Sequence, residues 1–157
     1  MLRTHYLNSL LEPQSLAIIG ASEKEGSIGH VILRNILANG FKGKLWAVNP
    51  KHGEILGQAC VPTIDQIGSR VDLAIVTTAP RTIPLIIEQC SKAGVHHLIV
   101  VSSLASGGGS SATLERRIRD AARNFGVRIL GPKSRGILRP CISLNATFTE
   151  IAALPGD

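Results

Sequence analysis

Short aliphatic runs alternate along this chain with longer segments of helical period. Leu16-Ala17-Ile18-Ile19 is uniformly apolar and closed by Gly20, the pattern of a strand buried on both faces. A short helical turn over 7–16, containing Leu10, Leu11 and Pro13, precedes it. Ile28, Ile32, Leu33, Ile36 and Leu37 then recur at the spacing of one helix face. Arg34 and Asn35 are set outward there, and Asn39-Gly40 supplies the stop. Lys44 to Val48 predicts a second strand, which Pro50 prevents from continuing as a central strand. Val61-Pro62-Thr63 with Ile64 and Ile67 predicts a short helix, and Asp72 to Thr77 a third strand. Pro80 opens a helix with Ile83, Ile86, Ile87 and Cys90 inward, and Pro84 moves its regular part a turn later. Ala93-Gly94 ends it. His97 to Ser102 is the fourth strand, and the Ser- and Gly-rich stretch 102–109 is expected to be the most flexible of the chain. Leu114, Ile118, Ala121, Ala122 and Phe125 form the inner stripe of the next helix, with Glu115, Arg116, Arg117, Arg119 and Arg123 in water. Val127 to Leu130 is the fifth strand. One more strand-like run lies between Ile142 and Phe148.

Alternating strands and helices predict an α/β chain: a Rossmann-like three-layer domain with a mostly parallel sheet. Its ligand crevice belongs at the carboxyl ends of the strands. The 157 residues suit one domain, placed at 1–150, with 151–157 as the start of a linker to a further domain. A hydrophobic fraction of 44% with only 3% aromatic residues favours a β-branched sheet core over a helical bundle.

Seventeen Lys and Arg against eleven Asp and Glu leave a net charge of +6. The basic residues are scattered along the sequence and aromatics for base stacking are scarce, which counts against nucleic acid and for an anionic small ligand. Cys60, Cys90 and Cys141 lack any metal or redox spacing and read as buried thiols in a reducing compartment. The amino terminus has no signal-peptide core, and no apolar run is long enough to cross a bilayer. A cytoplasmic protein without membrane partners is expected.

The candidate chemistry lies in the loops after the strands. Gly20-Ala21-Ser22, followed by Gly26-Ser27-Ile28-Gly29, is longer than a GxGxxG fingerprint but keeps its physics. Gly20 frees the turn, Ser22 and Ser27 offer hydroxyls, and backbone N–H groups near Ser27 and Gly29 open a helix toward an anion. Glu23 and Glu25 belong outside. A helix cap in a ligand-free fold is the alternative. After strand two, Asn49-Pro50-Lys51 stands where an NAD-binding domain offers an acid to a ribose hydroxyl. Lys51 either meets a ribose phosphate or pyrophosphate or is an ordinary surface lysine. Thr77, Thr78, Ala79 and Pro80 after strand three, with Ser102 and Ser103 after strand four, are small residues at the same rim. Gly131-Pro132-Lys133-Ser134-Arg135-Gly136 adds two cations that either contact an acyl or phosphate group or solvate a turn. No Ser-His-acid order, metal spacing or Walker lysine is present, so no catalytic residue and no metal ligand is assigned. The chain reads as a binding module.

These pieces resemble the CoA-binding domain of the ADP-forming acyl-CoA synthetases and the succinyl-CoA ligase alpha subunit. The resemblance rests on residues 16–22, Gly26-Ser27-Ile28-Gly29, 40–44, Val48-Asn49-Pro50, 71–76, 128–132 and Leu144-Asn145-Ala146, in family order over nearly the whole chain. The segment 130–148 looks most like the bacterial protein lysine acetyltransferases that fuse such a region to a GNAT domain. The resemblance implies CoA or acetyl-CoA across the 20–29 loop, with Asn49, Pro50 and Lys51 at its adenosine end. Thr77 to Pro80 and the Ser102 loop would line the rest. The usual acidic residue after strand four is replaced by Ser103-Leu104-Ala105-Ser106 and three glycines, and the usual Gly-Pro-Asn by Gly131-Pro132-Lys133.

The expected function is a CoA or acyl-CoA binding domain of a larger acyl-transfer protein. An acetyltransferase parent is read first and an ADP-forming acyl-CoA synthetase subunit second. The GNAT or ATP-grasp and other synthetase-like domains would lie outside this chain. An NADP-binding oxidoreductase domain and a purely structural module are the competing readings.

Overall fold

The computed structural model describes residues 7–102 and 110–149. Its elements run α1 (Asn8–Leu11), β1 (Ser15–Ile19), α2 (Ile28–Asn39), β2 (Lys44–Val48), β3 (Glu54–Ile55), β4 (Gln58–Val61) and β5 (Leu73–Val76). There follow α3 (Ile83–Lys92), β6 (His97–Val100), α4 (Ser110–Asn124), β7 (Arg128–Leu130), β8 (Gly136–Arg139) and β9 (Leu144–Thr147). Single 3₁₀ turns fill Ile64–Ile67 and Pro80–Thr82. The main sheet has the order β3-β4-β2-β1-β5-β6-β7 and is parallel except for β3. β1 is central: Leu16 lies opposite Leu45 on one side and Leu73 on the other. The chain leaves β1 first toward β2 and β4 and then crosses to β5, so β1 and β5 flank the topological switch point.

Strand alternation splits the core into two layers. Leu16, Ile18, Leu73 and Ile75 face α2 and β9, whereas Ala17, Ile19, Ala74 and Val76 face α3 and α4. Each buried Leu or Ile contributes roughly 1.5–3 kcal/mol. The sheet therefore holds both layers through strands that bury every side chain, as β1 and β5 do. No described helix is long and apolar enough to cross a membrane.

Several expectations change. The sequence pointed to five strands and a sixth run in the tail; the sheet has seven, and the tail run is β9, paired antiparallel with β8. β3 and β4 form a hairpin through Leu56 and Gly57, both at positive φ (49° and 74°), and β4 adds to β2. Asn35 is buried rather than outward. Its amide donates to the carbonyls of Thr147 at 3.0 Å and Thr149 at 2.8 Å, binding α2 to the end of β9. Cys141 is exposed, while Cys60 and Cys90 are buried. Burial pushes the Cys90 thiol up to about 12, so it stays neutral in the fold. The regular part of α3 does begin after Pro80, at Ile83. The expected flexible stretch, apart from Ser102, and the linker at 151–157 lie outside the described residues.

Replacing Asn35 with Ala strips two carbonyls of their donor. Chemical denaturation should show a loss of about 2 kcal/mol. A loss below about 0.5 kcal/mol, the scale of an ordinary surface change, contradicts this role for the amide.

Candidate cofactor site at the carboxyl ends of the strands

Gly20 follows β1 at φ +93°, a conformation glycine adopts without strain. A Cβ on Gly29, the second residue of α2, would lie 2.1 Å from the Gly20 carbonyl oxygen. Two glycines are thus needed at one contact, and they bring the start of α2 against the end of β1. Thr77, just after β5, fixes the same turn. Its hydroxyl lies 3.1 Å from the Ile19 carbonyl and 3.0 Å from that of Gly20. The two loops flanking the switch point are therefore one hydrogen-bonded unit.

Within the loop, Ser27 caps α2. Its Oγ accepts from the His30 N–H at 3.3 Å and donates to the Lys24 carbonyl at 2.7 Å. The Ser22 Oγ accepts from the Lys24 N–H at 3.0 Å. These hydroxyls shape the loop; the sequence had offered them to a ligand. The amides of Ile28 and Gly29, at the first turn of α2, find no acceptor among the described residues. Ala21 is buried and Gly26 takes φ +74° at the loop tip. Glu23 is exposed as expected, yet it also braces the loop. Its Oε1 accepts from the Leu56 N–H at 2.8 Å, clipping the β3–β4 hairpin in place.

Asn49 follows β2, and its side chain meets that loop. Its Nδ2 donates to the Ala21 carbonyl at 2.8 Å, and its Oδ1 accepts from the Lys51 N–H at 2.9 Å. One amide thereby ties two rim loops together and folds Asn49-Pro50-Lys51 into a turn. Pro50 and Lys51 are exposed, and the Lys51 ammonium makes no ion pair among the described residues. The Cys60 thiol lies beneath, donating to the Asn49 carbonyl at 3.6 Å, with burial raising its pKa.

At the β5 and β6 ends the hydroxyls again bind backbone and one another. Thr78 Oγ1 is 2.9 Å from Thr82 Oγ1, and the buried Ser102 donates to the Thr78 carbonyl. Pro80 opens the 3₁₀ turn there. Ser103 lies outside the described residues. The structure thus gathers the 20–29 loop, Asn49 to Lys51, Thr77, Thr78, Pro80 and Ser102 at one rim.

Sequence reasoning missed two residues of this rim. His30 is buried, and its Nδ1 lies 3.1 Å from the Ser22 carbonyl, so that nitrogen carries the hydrogen. Its place three residues after the Ser27 cap was the available signal. Arg81 is exposed in the 3₁₀ turn after β5, as are Lys24 in the 20–29 loop and Lys51; only its neighbour Pro80 drew notice.

The family described as CoA binding domain matches residues 14–140. The chain is 36% identical over 151 residues to an acetate–CoA ligase [ADP-forming] I of Archaeoglobus fulgidus, covering 96% of this chain and 22% of that protein. It is 35% identical over 155 residues to the acetate–CoA ligase [ADP-forming] I subunit alpha of Pyrococcus furiosus, 96% and 34% respectively. The structure of a dinucleotide forming acetyl-coenzyme A synthetase 1 from Ca. Korarchaeum cryptofilum, in complex with phosphate and ADP, superposes with a TM-score of 0.89. There the identity is 36% over 96% of this chain and 32% of that one. The chain thus spans about a fifth to a third of these relatives.

Gly29→Ala tests the contact on which the rim rests. Alanine is the better helix former by up to about 1 kcal/mol, yet the clash should destabilise the fold by about 2 kcal/mol or more in chemical denaturation. An unchanged or raised midpoint contradicts the close approach.

Proposed function

This chain belongs to the CoA-binding domain family, and we propose from that premise that it binds coenzyme A or a CoA thioester at the rim formed after β1, β2, β5 and β6. The observation that carries the reading is the Asn49 side chain. By bonding the Ala21 carbonyl and the Lys51 backbone N–H, it ties the turn that carries the exposed Lys51 to the loop leading into the open first-turn amides of α2. Those two features suit the phosphates of a phosphorylated adenosine carrier. The small residues Thr77, Thr78 and Pro80 leave backbone accessible to the rest of the cofactor. His30 and Thr77 hold the loop in place.

The parent activity that fits best is ADP-forming acyl-CoA synthesis, in which this domain presents CoA to domains beyond the matched region. The relatives named above are ADP-forming ligases and an acetyl-coenzyme A synthetase. An acetyltransferase parent, the first expectation from sequence, draws no support from them.

Calorimetry with CoA, acetyl-CoA, NAD and NADP tests the binding. CoA or acetyl-CoA should bind in preference to either nicotinamide cofactor. Lys51→Ala should weaken CoA about tenfold, the loss of roughly 1.4 kcal/mol expected for one charge-assisted contact, and leave pantetheine unaffected. A preference for NADP, or equal weakening of CoA and pantetheine, overturns the assignment.

A further inference from the structure

Away from the rim, a cavity of about 430 Å³ opens between α4 and β7. Small-molecule pockets fall at roughly 300–1,000 Å³. Ile118 and Val127, both nearly fully buried, join Ala122 and Ile129 in its apolar lining. Arg119, Arg123 and Lys133 line the same space and are exposed. Glu115 is the one carboxylate among the lining residues. It stands 3.9 Å from the Lys133 ammonium, with the two side chains 41% and 57% exposed, a loose and solvent-screened pair. Charges scattered in the sequence are here gathered over an apolar floor.

Lys133 is held in place by its backbone. It takes φ +67°, where glycine and asparagine are at ease and a lysine is strained. Its N–H donates to the Ser102 carbonyl at 3.4 Å, and the next N–H, of Ser134, donates to the Val100 carbonyl at 3.2 Å. Gly131 approaches the same strand end so closely that a Cβ would lie 2.5 Å from the Val100 oxygen. A long cation kept in a disfavoured conformation at the mouth of an apolar cavity calls for a use of its charge.

We propose that the α4–β7 cavity binds a small organic anion, a carboxylate carried on a compact aryl or branched aliphatic body. The carboxylate meets Lys133 with Arg119 and Arg123, and the body lies on Ile118, Ala122 and Ile129. Glu115 offsets one of the three cations, and the apolar floor gives the body of an organic carboxylate a contact that inorganic phosphate cannot make. The site is separate from the proposed CoA rim, although Ser102 touches both: its carbonyl holds Lys133, and its hydroxyl holds the Thr78 carbonyl.

The test is an NMR titration of the whole 157-residue chain with phenylacetate, in the absence of CoA. Benzyl alcohol and inorganic phosphate serve as the uncharged and the body-less controls. Phenylacetate should bind with a Kd of about 0.1–1 mM, shift the signals of Ile118, Ala122 and Ile129, and bind at least about tenfold more tightly than either control. Lys133→Asn retains a residue suited to the left-handed turn. It should raise Tm, weaken phenylacetate about tenfold and leave CoA affinity unchanged. Arg123→Gln should weaken phenylacetate several-fold in a protein whose spectrum is otherwise unchanged. Equal binding of phenylacetate and benzyl alcohol, equal binding of phosphate, shifts confined to other regions, or full affinity in Lys133→Asn would each overturn the proposal. Because CoA plays no part in the titration, failure here leaves the CoA reading standing, and failure of CoA to bind leaves this one.

Discussion

The contact between the Gly20 carbonyl and the α-carbon of Gly29 is the constraint on which the rim depends. No side chain fits between them, since a Cβ would sit 2.1 Å from the oxygen. That closeness brings the first turn of α2 over the end of the central strand, where two amides find no acceptor among the described residues. Thr77 bonds the same carbonyl from β5, so neither loop can shift without the other. Aliphatic burial holds the sheet together, and this one polar junction decides where its open end points.

The hydroxyls and the amide around that junction serve the backbone. Ser27, Thr77, Ser102 and Asn49 each bridge main-chain groups of the rim loops, and Glu23 extends the bracing to the β3–β4 hairpin. What is left for a ligand is backbone N–H, small surfaces and exposed cations at Lys24, Lys51 and Arg81. Such a rim suits the phosphorylated carrier proposed for it, by charge and shape.

Much of this was legible in the chain because the central strands are apolar on both faces and the helices keep a clean period. Strand two and the buried face of α3 came out residue for residue. Asn35 was misplaced by its polarity: seven residues after Ile28, it falls on the same helical stripe, and the period should have outweighed the amide. The β3–β4 hairpin escaped because its turn is Leu56-Gly57 in place of a typical Asn-Gly, and Glu23 relieves the leucine's N–H from thirty-odd residues away. β8 is half-buried at every position, so it shows no alternation to read. In the site, residue types marked the loops that the fold gathers at one rim but not what each hydroxyl does, since sequence does not show which backbone group lies opposite.

A crystal structure with coenzyme A bound is the most direct measurement. The expected density places the diphosphate at the amides of Ile28 and Gly29, with the Lys51 ammonium on a phosphate oxygen and the α4–β7 cavity free of cofactor. Coenzyme A lodged away from the 20–29 loop, or a rim that stays closed at saturating cofactor, contradicts the central claim.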